Sequence, residues 1–284
     1  MIKRLLIFVC LALVFTSLLE AQDRYWVVFK DKKDVSFDPY EYFDARTIEK
    51  RIKNGIPLVQ YTDIPLNEGY CSSIEKYSTI YSKSRWLNAV SAELYPGHKA
   101  RIEKLDFVAE LRKMSSTASV GSKMDLLNDS LRMKHLQRQT GIMGGDLFRK
   151  EGINGQGIRI AVFDGGFPEV DSLEIFKHLF ENNQIIATYD FVNEDEYVYD
   201  YNSHGTSVLA CIAGYLDGKY YGLAPGAEFL LARTEVNTEI FAEEEYWAAA
   251  MEWADKNGAD IISSSLGYTY HRYFHCFPCR HWLH

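Results

Sequence analysis

Two residues of the chain, Asp164 and His204, have the side chains needed for a base and for the carboxylate that orients it. Asp164 follows the apolar run from Ile158 to Phe163 and precedes Gly165 and Gly166. This pattern predicts a carboxylate on a tight turn at the carboxyl end of a strand, where open α/β sheets build their sites. His204 begins the segment HGTSVLACIAG, which predicts an apolar helix. Because a helix N-terminus disfavours the imidazolium, a base in that position needs a carboxylate partner.

Taken singly, each residue also has a structural interpretation. An Asp before two glycines is a common turn, and His204 could simply cap its helix. Together the two segments resemble the subtilisin-like serine proteases, or subtilases, in which the triad follows the chain order Asp, His, Ser. Two further segments match the family in the right order, YGLAPGA at Tyr221–Ala227 and ADIISSSLG at Ala259–Gly267.

The resemblance implies roles for five residues. Asp164 would orient and charge-compensate the base, and His204 would be the base in hydrolysis of polypeptide substrates. By position only, Ser265, Leu266 and Gly267 would pair with the substrate backbone as an added strand. The alternative for this last segment is an ordinary core strand.

The sequence also departs from the family pattern. Gly165 stands where the family more often has Ser or Thr. No GNxG segment supplies an oxyanion-hole Asn, which is worth roughly 3 kcal/mol of transition-state stabilisation, and no GTSxxxP segment supplies the nucleophilic serine. The resemblance therefore predicts a serine endopeptidase sequence that is inactive as written. The alternative function is a non-catalytic propeptide-like chaperone or inhibitor of a related protease.

Strands and helices alternate in the part of the chain that holds these motifs. Alternation at this spacing predicts βαβ units and a parallel sheet with flanking helices, an α/β fold. By the resemblance, residues 131–267 would be the N-terminal half of a subtilisin-like catalytic domain. The predicted strands are Ile158–Phe163, Ile185–Phe191, Glu228–Thr234 and Ala259–Leu266, and the predicted helices are His204–Tyr215 and Glu243–Lys256.

The N-terminal region has a different organisation. Residues 1–21 place Lys3 and Arg4 before an apolar run that is shorter than the roughly 20 residues of a membrane span, which predicts a secretory signal peptide rather than a stable membrane anchor. Residues 23–114 predict a small α+β, ferredoxin-like domain, with a helix from Asp38 to Asn54. Residues 115–130 predict an exposed linker.

SRWLNAVSAEL at Ser84–Leu94 resembles propeptides of secreted bacterial subtilases. The resemblance implies an intramolecular contact between propeptide and catalytic domain, processing within Ser115–Ser130, and a secreted protein.

Residues 268–284 differ in composition from everything before them. Cys276 and Cys279 form a CxxC pair near His271 and His275, which suggests a zinc knuckle as one interpretation. A shifted reading frame is the favoured alternative, because the tail begins directly after SLGY, where the parent domain should continue.

The sequence gives few indications of nucleic-acid, metal or cofactor binding. The net charge of -8 argues against nucleic acid. An acidic cluster contains Glu235, Glu239 and residues 243–245. Its predicted state is a solvated helix start, and calcium binding or substrate selection is the alternative. No cofactor or metal ligand set is predicted otherwise.

Overall fold

The structure is a computed structural model that describes residues 23–114, 140–216, 219–220, 222–236 and 242–266. Contacts divide the chain into two units. The first contains residues up to Phe37 together with Val59–Ser115, and the second contains Asp38–Leu58 together with the residues from Ser116 onwards. The predicted N-terminal domain therefore contributes one of its segments, Asp38–Leu58, to the second unit.

The described part of the chain folds into strands and helices joined by turns. In chain order, the strands are β1 (Asp23–Phe29), β2 (Ile80–Ser84), β3 (Ala89–Leu94), β4 (Val108–Lys113), β5 (Arg159–Asp164), β6 (Ile185–Asp190), β7 (Tyr215–Leu216), β8 (Lys219–Tyr220), β9 (Glu228–Arg233) and β10 (Ile261–Ser264). The helices are α1 (Pro39–Tyr42), α2 (Ala45–Lys53), α3 (Glu68–Glu75), α4 (Pro96–Ile102), α5 (Gly145–Lys150), α6 (Lys177–Glu181), α7 (His204–Ala213) and α8 (Ala242–Lys256). Single 3₁₀ turns occur at Tyr61–Asp63 and Glu174–Phe176.

The first unit is an antiparallel sheet in the order β2-β3-β1-β4. With α3 between β1 and β2 and α4 between β3 and β4, this order is the predicted ferredoxin-like arrangement. Alternate residues of β1 face the core, where Val27 is fully buried beside Ile74 of α3 and Ile102 of α4. The unit thus has an apolar core of its own.

The segment between β1 and α3 differs from the single helix that the sequence predicts. Asp38 caps α1 as predicted, since its carboxylate accepts a hydrogen bond from the Tyr40 N–H at 2.8 Å. A second cap follows at Asp44, whose carboxylate accepts from the Arg46 N–H at 2.8 Å. This second cap divides the segment into α1 and α2. Gly55, with φ of 66°, follows the end of α2, where the left-handed region favours glycine.

The second unit contains a parallel sheet in the order β10-β5-β9-β6. Every end of its strands lies within two residues of the predicted end, and the α/β prediction is confirmed. Every residue of β5 is buried, as expected for a strand covered on both faces. One face packs on Leu209 and Ala213 of α7, and the other packs on α8. Across the described ranges, no helix has the length and apolar character needed to cross a membrane.

Candidate active site

Asp164 ends β5 and its side chain is almost fully buried. Its Oδ1 accepts a hydrogen bond from the Gly165 N–H at 2.8 Å. Its own carbonyl oxygen accepts from the Thr234 N–H at 2.9 Å, at the end of the neighbouring strand β9. The parallel sheet therefore holds both the backbone and the carboxylate of Asp164.

His204 is the first residue of α7, and its backbone N–H donates to Asn202 Oδ1 at 2.9 Å. Its ring Nδ1 lies 2.9 Å from Asp164 Oδ2 and 3.1 Å from Oδ1. Because an ionised carboxylate only accepts hydrogen bonds, we assign the ring proton to Nδ1. The side chain is 56% exposed, so the ring can still meet another molecule. This arrangement leaves Nε2 as the nitrogen that can accept a proton.

Asp164 and His204 are brought together by the close approach of the start of α7 to the turn that follows β5. A Cβ on Gly205 would lie 2.3 Å from the Gly166 carbonyl oxygen and 2.9 Å from Asp164 Cβ. A Cβ on Gly165 would lie 3.0 Å from Asn202 Cβ. Gly165, which departs from the family pattern, thus leaves room for Asn202, whose side chain accepts the His204 N–H at the start of α7.

The carboxyl end of α7 is also anchored through a glycine. Within the GLAPGA part of the predicted motif, the Gly222 N–H donates to the Gly214 carbonyl and the Ala224 N–H donates to the Ile212 carbonyl. A Cβ on Gly222 would lie 2.1 Å from the Ile212 carbonyl oxygen. This motif therefore fixes the end of the helix that begins at His204.

Ser265 lies immediately after β10, and because Ser264 pairs with Phe163, Ser265 stands beside Asp164 in the sheet. Burial raises the pKa of Asp164 above its ordinary value, although hydrogen bonds from the Gly165 N–H and from the His204 and Ser265 side chains work in the opposite direction. Ser265 therefore lies beside Asp164, which the sequence does not predict. Leu266 follows it and is partly exposed, and Gly267 lies outside the described residues. The predicted substrate-pairing roles of the three residues stay predictions.

An ion pair beside the site was missed by the sequence interpretation. Arg233 ends β9 and lies opposite Asp164 at the end of β5 and opposite Asp190 at the end of β6. Arg233 Nη1 donates to Asp190 Oδ2 at 2.8 Å, and both side chains are buried. The Arg233 guanidinium also stacks 3.5 Å above the ring of Tyr201, which forms a bridge with Gly166. Charged residues at the ends of two apolar strands were the signal that could have identified this pair.

The structure corrects the interpretation of the acidic cluster. Glu243 and Glu245 are buried, so the predicted solvated helix start is wrong for these two residues. The reason is local: Glu243 Oε1 accepts a hydrogen bond from the Val236 N–H at 3.0 Å, which turns the carboxylate inward. Glu239 lies outside the described residues.

Glu235 is the member of this cluster that is electrostatically coupled to Asp164. Burial raises the pKa of Glu235 to about 8, with further contributions from the charges of Asp164 and Glu243. Among the described residues, no group of three His, Cys, Asp or Glu side chains is arranged to hold a metal ion. The Cys and His residues of the tail, His271, His275, Cys276 and Cys279, lie outside these residues.

We expect Glu235→Gln to stabilise the protein more at pH 9 than at pH 6. The Glu235 carboxyl binds its proton more tightly in the folded state than in the unfolded state, where its pKa is near 4.5. The stability that the wild-type Glu235 carboxyl contributes is therefore fully present below pH 4.5 and is lost as the pH rises through about 8. Thermal unfolding midpoints at the two pH values measure the effect. The exposed Glu196→Gln variant is the control, and an equal shift for Glu235→Gln at both pH values would contradict the expectation.

Two family models match the chain. Residues 24–128 match the peptidase S8 propeptide domain of Bacteroidota, and residues 155–274 match the subtilase family.

Relatives and solved structures give a similar result. The major intracellular serine protease of Bacillus subtilis (strain 168) is 31% identical over 122 residues, 41% of this chain and 36% of that protein. Serine protease AprX of the same organism is 26% identical over 210 residues, 71% of this chain and 43% of that protein. The chain thus spans less than half the length of these curated relatives. The crystal structure of the S393A mutant of the epidermin leader peptide processing serine protease from Staphylococcus aureus has a similar fold, with a TM-score of 0.50 at 15% identity, covering 86% of this chain and 50% of that one.

Proposed function

Because the chain is a subtilisin-like protein of the peptidase S8 family, we propose that it carries the base and the orienting carboxylate of a serine endopeptidase. The observation that carries the proposal is the His204–Asp164 pair, in which Nδ1 lies 2.9 Å from a buried carboxylate oxygen while the ring stays half-exposed. A buried strand end and a helix start hold the pair rigidly. These are the requirements of a general base that must accept a proton at one defined nitrogen.

In the proposed reaction His204 Nε2 takes the proton of a serine hydroxyl as that oxygen attacks a peptide carbonyl, and the ring then returns the proton to the leaving amine. Asp164 keeps the ring in the Nδ1–H tautomer and stabilises the imidazolium. The Ser265 side chain acts to lower the pKa of Asp164 and so favours its charged form. No GTSxxxP segment occurs in the 284 residues. A complete site therefore needs a nucleophile that these residues do not supply.

The proposed substrates are polypeptides. The strand β10 lies at one edge of the sheet as far as the described residues extend. An extended peptide could add to the backbone that follows it, at Ser265, Leu266 and Gly267. This placement would put a scissile bond near the exposed ring of His204.

The same proposal includes maturation and export. The match of residues 24–128 to an S8 propeptide supports a pro-region that is removed by cleavage within residues 115–130. A signal peptide at residues 1–21 would direct the protein out of the cytoplasm. Residues 1–21 and 115–130 both lie outside the described residues.

The test begins with the DNA that follows codon 267, read in all three frames. We expect one frame to encode an oxyanion-hole Asn and a GTSxxxP serine. The protein expressed from the joined frame should hydrolyse a peptide substrate, and His204→Ala should lower kcat by about 10⁴-fold or more. The 284-residue chain should hydrolyse the same substrate no faster than its own His204→Ala variant.

Two outcomes would count against the proposal. A joined protein whose activity survives His204→Ala would exclude His204 as the base. If no frame encodes the serine and residues 23–114 inhibit a related full-length protease, the inhibitor or chaperone alternative would replace the peptidase.

A further inference from the structure

The segment Asp38–Leu58, termed the clamp segment, lies within the region matched by the propeptide model but packs on the second unit. We propose that the clamp segment is a second attachment of the pro-region to the catalytic region, remote from the active site, which retains the pro-region after the linker is cut. The proposal rests on the proposed function insofar as it takes residues 24–128 to be a removable pro-region.

The attachment lies at the opposite end of the sheet from the catalytic pair. Asp260 immediately precedes β10, and Arg159 begins β5, whose last residue is Asp164. A strand advances about 3.3 Å per residue, which separates Arg159 from Asp164 by roughly 16 Å. The clamp segment therefore binds without occupying the substrate site.

The first group of contacts centres on Asp260. Arg46 Nη2 donates to Asp260 Oδ2 at 2.7 Å and to the Gly157 carbonyl at 2.7 Å. Lys50 Nζ lies 2.8 Å from Asp260 Oδ1 and donates to the Ala259 carbonyl at 2.7 Å. Both oxygens of the carboxylate thus bind the clamp segment, and the Arg159 N–H also donates to Oδ2 at 2.9 Å.

The electrostatics of Asp260 agree with this arrangement. Burial acts to raise the pKa of Asp260, but hydrogen bonds from Lys50, from the Arg159 N–H and from Arg46 outweigh burial and hold the pKa below its ordinary value. The carboxylate is therefore stabilised as a charged group by two cations of the clamp segment.

The second group of contacts closes the carboxyl end of α8. The Asp44 N–H donates to the Lys256 carbonyl at 3.0 Å, and the Thr47 hydroxyl donates to the Lys256 and Asp255 carbonyls at 3.0 and 3.2 Å. Arg51 Nη2 lies 3.2 Å from Asp255 Oδ2. Helix ends leave their last carbonyls without partners inside the helix. The clamp segment supplies partners for the carbonyls at this end of α8.

The polar character of these contacts implies that the attachment can be released. Arg46, Lys50 and Asp260 each keep between a fifth and a third of their side-chain surface exposed. Ion pairs with this exposure are weakened by salt, because dissolved ions screen them. The contacts also join the start of the short edge strand β10 to the start of β5. Loss of the clamp segment should therefore loosen β10.

Hydrogen exchange in the full chain tests the attachment. We expect Lys50→Glu or Arg46→Glu to raise the exchange rates of amides in α2 and β10 at least tenfold. The matched control is Lys53→Glu, which makes the same charge change on an exposed residue of the same helix and should change these rates less than twofold. In the wild-type chain, 1 M NaCl should accelerate exchange in α2 while β3 stays protected, which shows that the protein remains folded. Equal rates for Lys50→Glu and Lys53→Glu would overturn the proposal.

A nicked chain tests retention. A recognition sequence for a specific protease is placed within residues 115–122, the chain is cut there, and the product is passed through gel filtration at low and high salt. We expect the two fragments to elute together at low salt, and Lys50→Glu to weaken their association at least tenfold relative to Lys53→Glu. Immediate separation of the wild-type fragments at low salt would overturn the proposal. Neither readout needs peptide hydrolysis, so failure of the peptidase proposal would be recognised separately.

Discussion

Replacing Gly205 with alanine should destabilise the second unit by about 3 kcal/mol and separate His204 from Asp164. The new Cβ would lie 2.3 Å from the Gly166 carbonyl oxygen and 2.9 Å from Asp164 Cβ. The clash is with backbone and with a buried side chain, so it can be relieved only by moving the start of α7 away from the end of β5. Overpacking of this kind typically costs about 1–3 kcal/mol.

Two measurements check this expectation. Denaturant dependence of hydrogen exchange in β5 and β9 gives the free energy of unfolding of the second unit, and the low-field proton resonance of His204 Nδ1–H reports the pair. Gly141→Ala is the matched control, because its Cβ would have nothing closer than 4.0 Å. A Gly205→Ala protein with unchanged stability and an intact resonance would show that the close approach is not needed.

Removing the buried carboxylate of Asp190 should have the largest effect on stability, about 3–5 kcal/mol for Asp190→Ala. The variant leaves the Arg233 guanidinium buried without its ionic partner. It also removes the acceptor of the Val192 and Asn193 N–H groups. Because Arg233 stacks on Tyr201, just before Asn202, whose side chain accepts the His204 N–H, we also expect the amides of the loop before His204 to exchange faster.

A double variant separates the causes of this effect. Asp190→Ala combined with Arg233→Met should be less destabilised than Asp190→Ala alone, since no charge is then left buried without a partner. Glu181→Gln, which removes an exposed ion pair with Lys177, should leave the free energy of unfolding indistinguishable from wild type. If the single and double variants are equally destabilised, the buried charge is not the reason for the loss.

The local patterns of the sequence were sufficient for the fold class, and the resemblance to the subtilases was needed to pair Asp164 with His204. Apolar runs of strand length alternating with amphipathic helices left few arrangements other than a parallel sheet. In such a sheet the carboxyl ends of the strands lie at one edge, where Asp164 ends β5 and His204 begins α7 after β6, and the resemblance implies that the two side chains meet there. The structure brings the two side chains together, with 2.9 Å between His204 Nδ1 and Asp164 Oδ2.

The partners of these residues could not be predicted in the same way. Ser265 lies beside Asp164 because β10 is paired with β5, and the local sequence does not contain that strand pairing. The contacts of the clamp segment could not be predicted from local sequence patterns either. The clamp segment follows β1 in the chain, but Arg46 and Lys50 of α2 bind Asp260, more than two hundred residues away. No local pattern contains a contact of that separation.

The sequence by itself determined where the strands, the helix starts, and the candidate base and carboxylate of this protein lie, because hydrophobic periodicity, caps and glycine turns act over a few neighbouring residues. Only the tertiary structure decided which strand lies beside which. That choice placed Ser265 at Asp164, buried Arg233 with Asp190, and turned Glu243 inward, because strand pairing and burial depend on every element packed nearby.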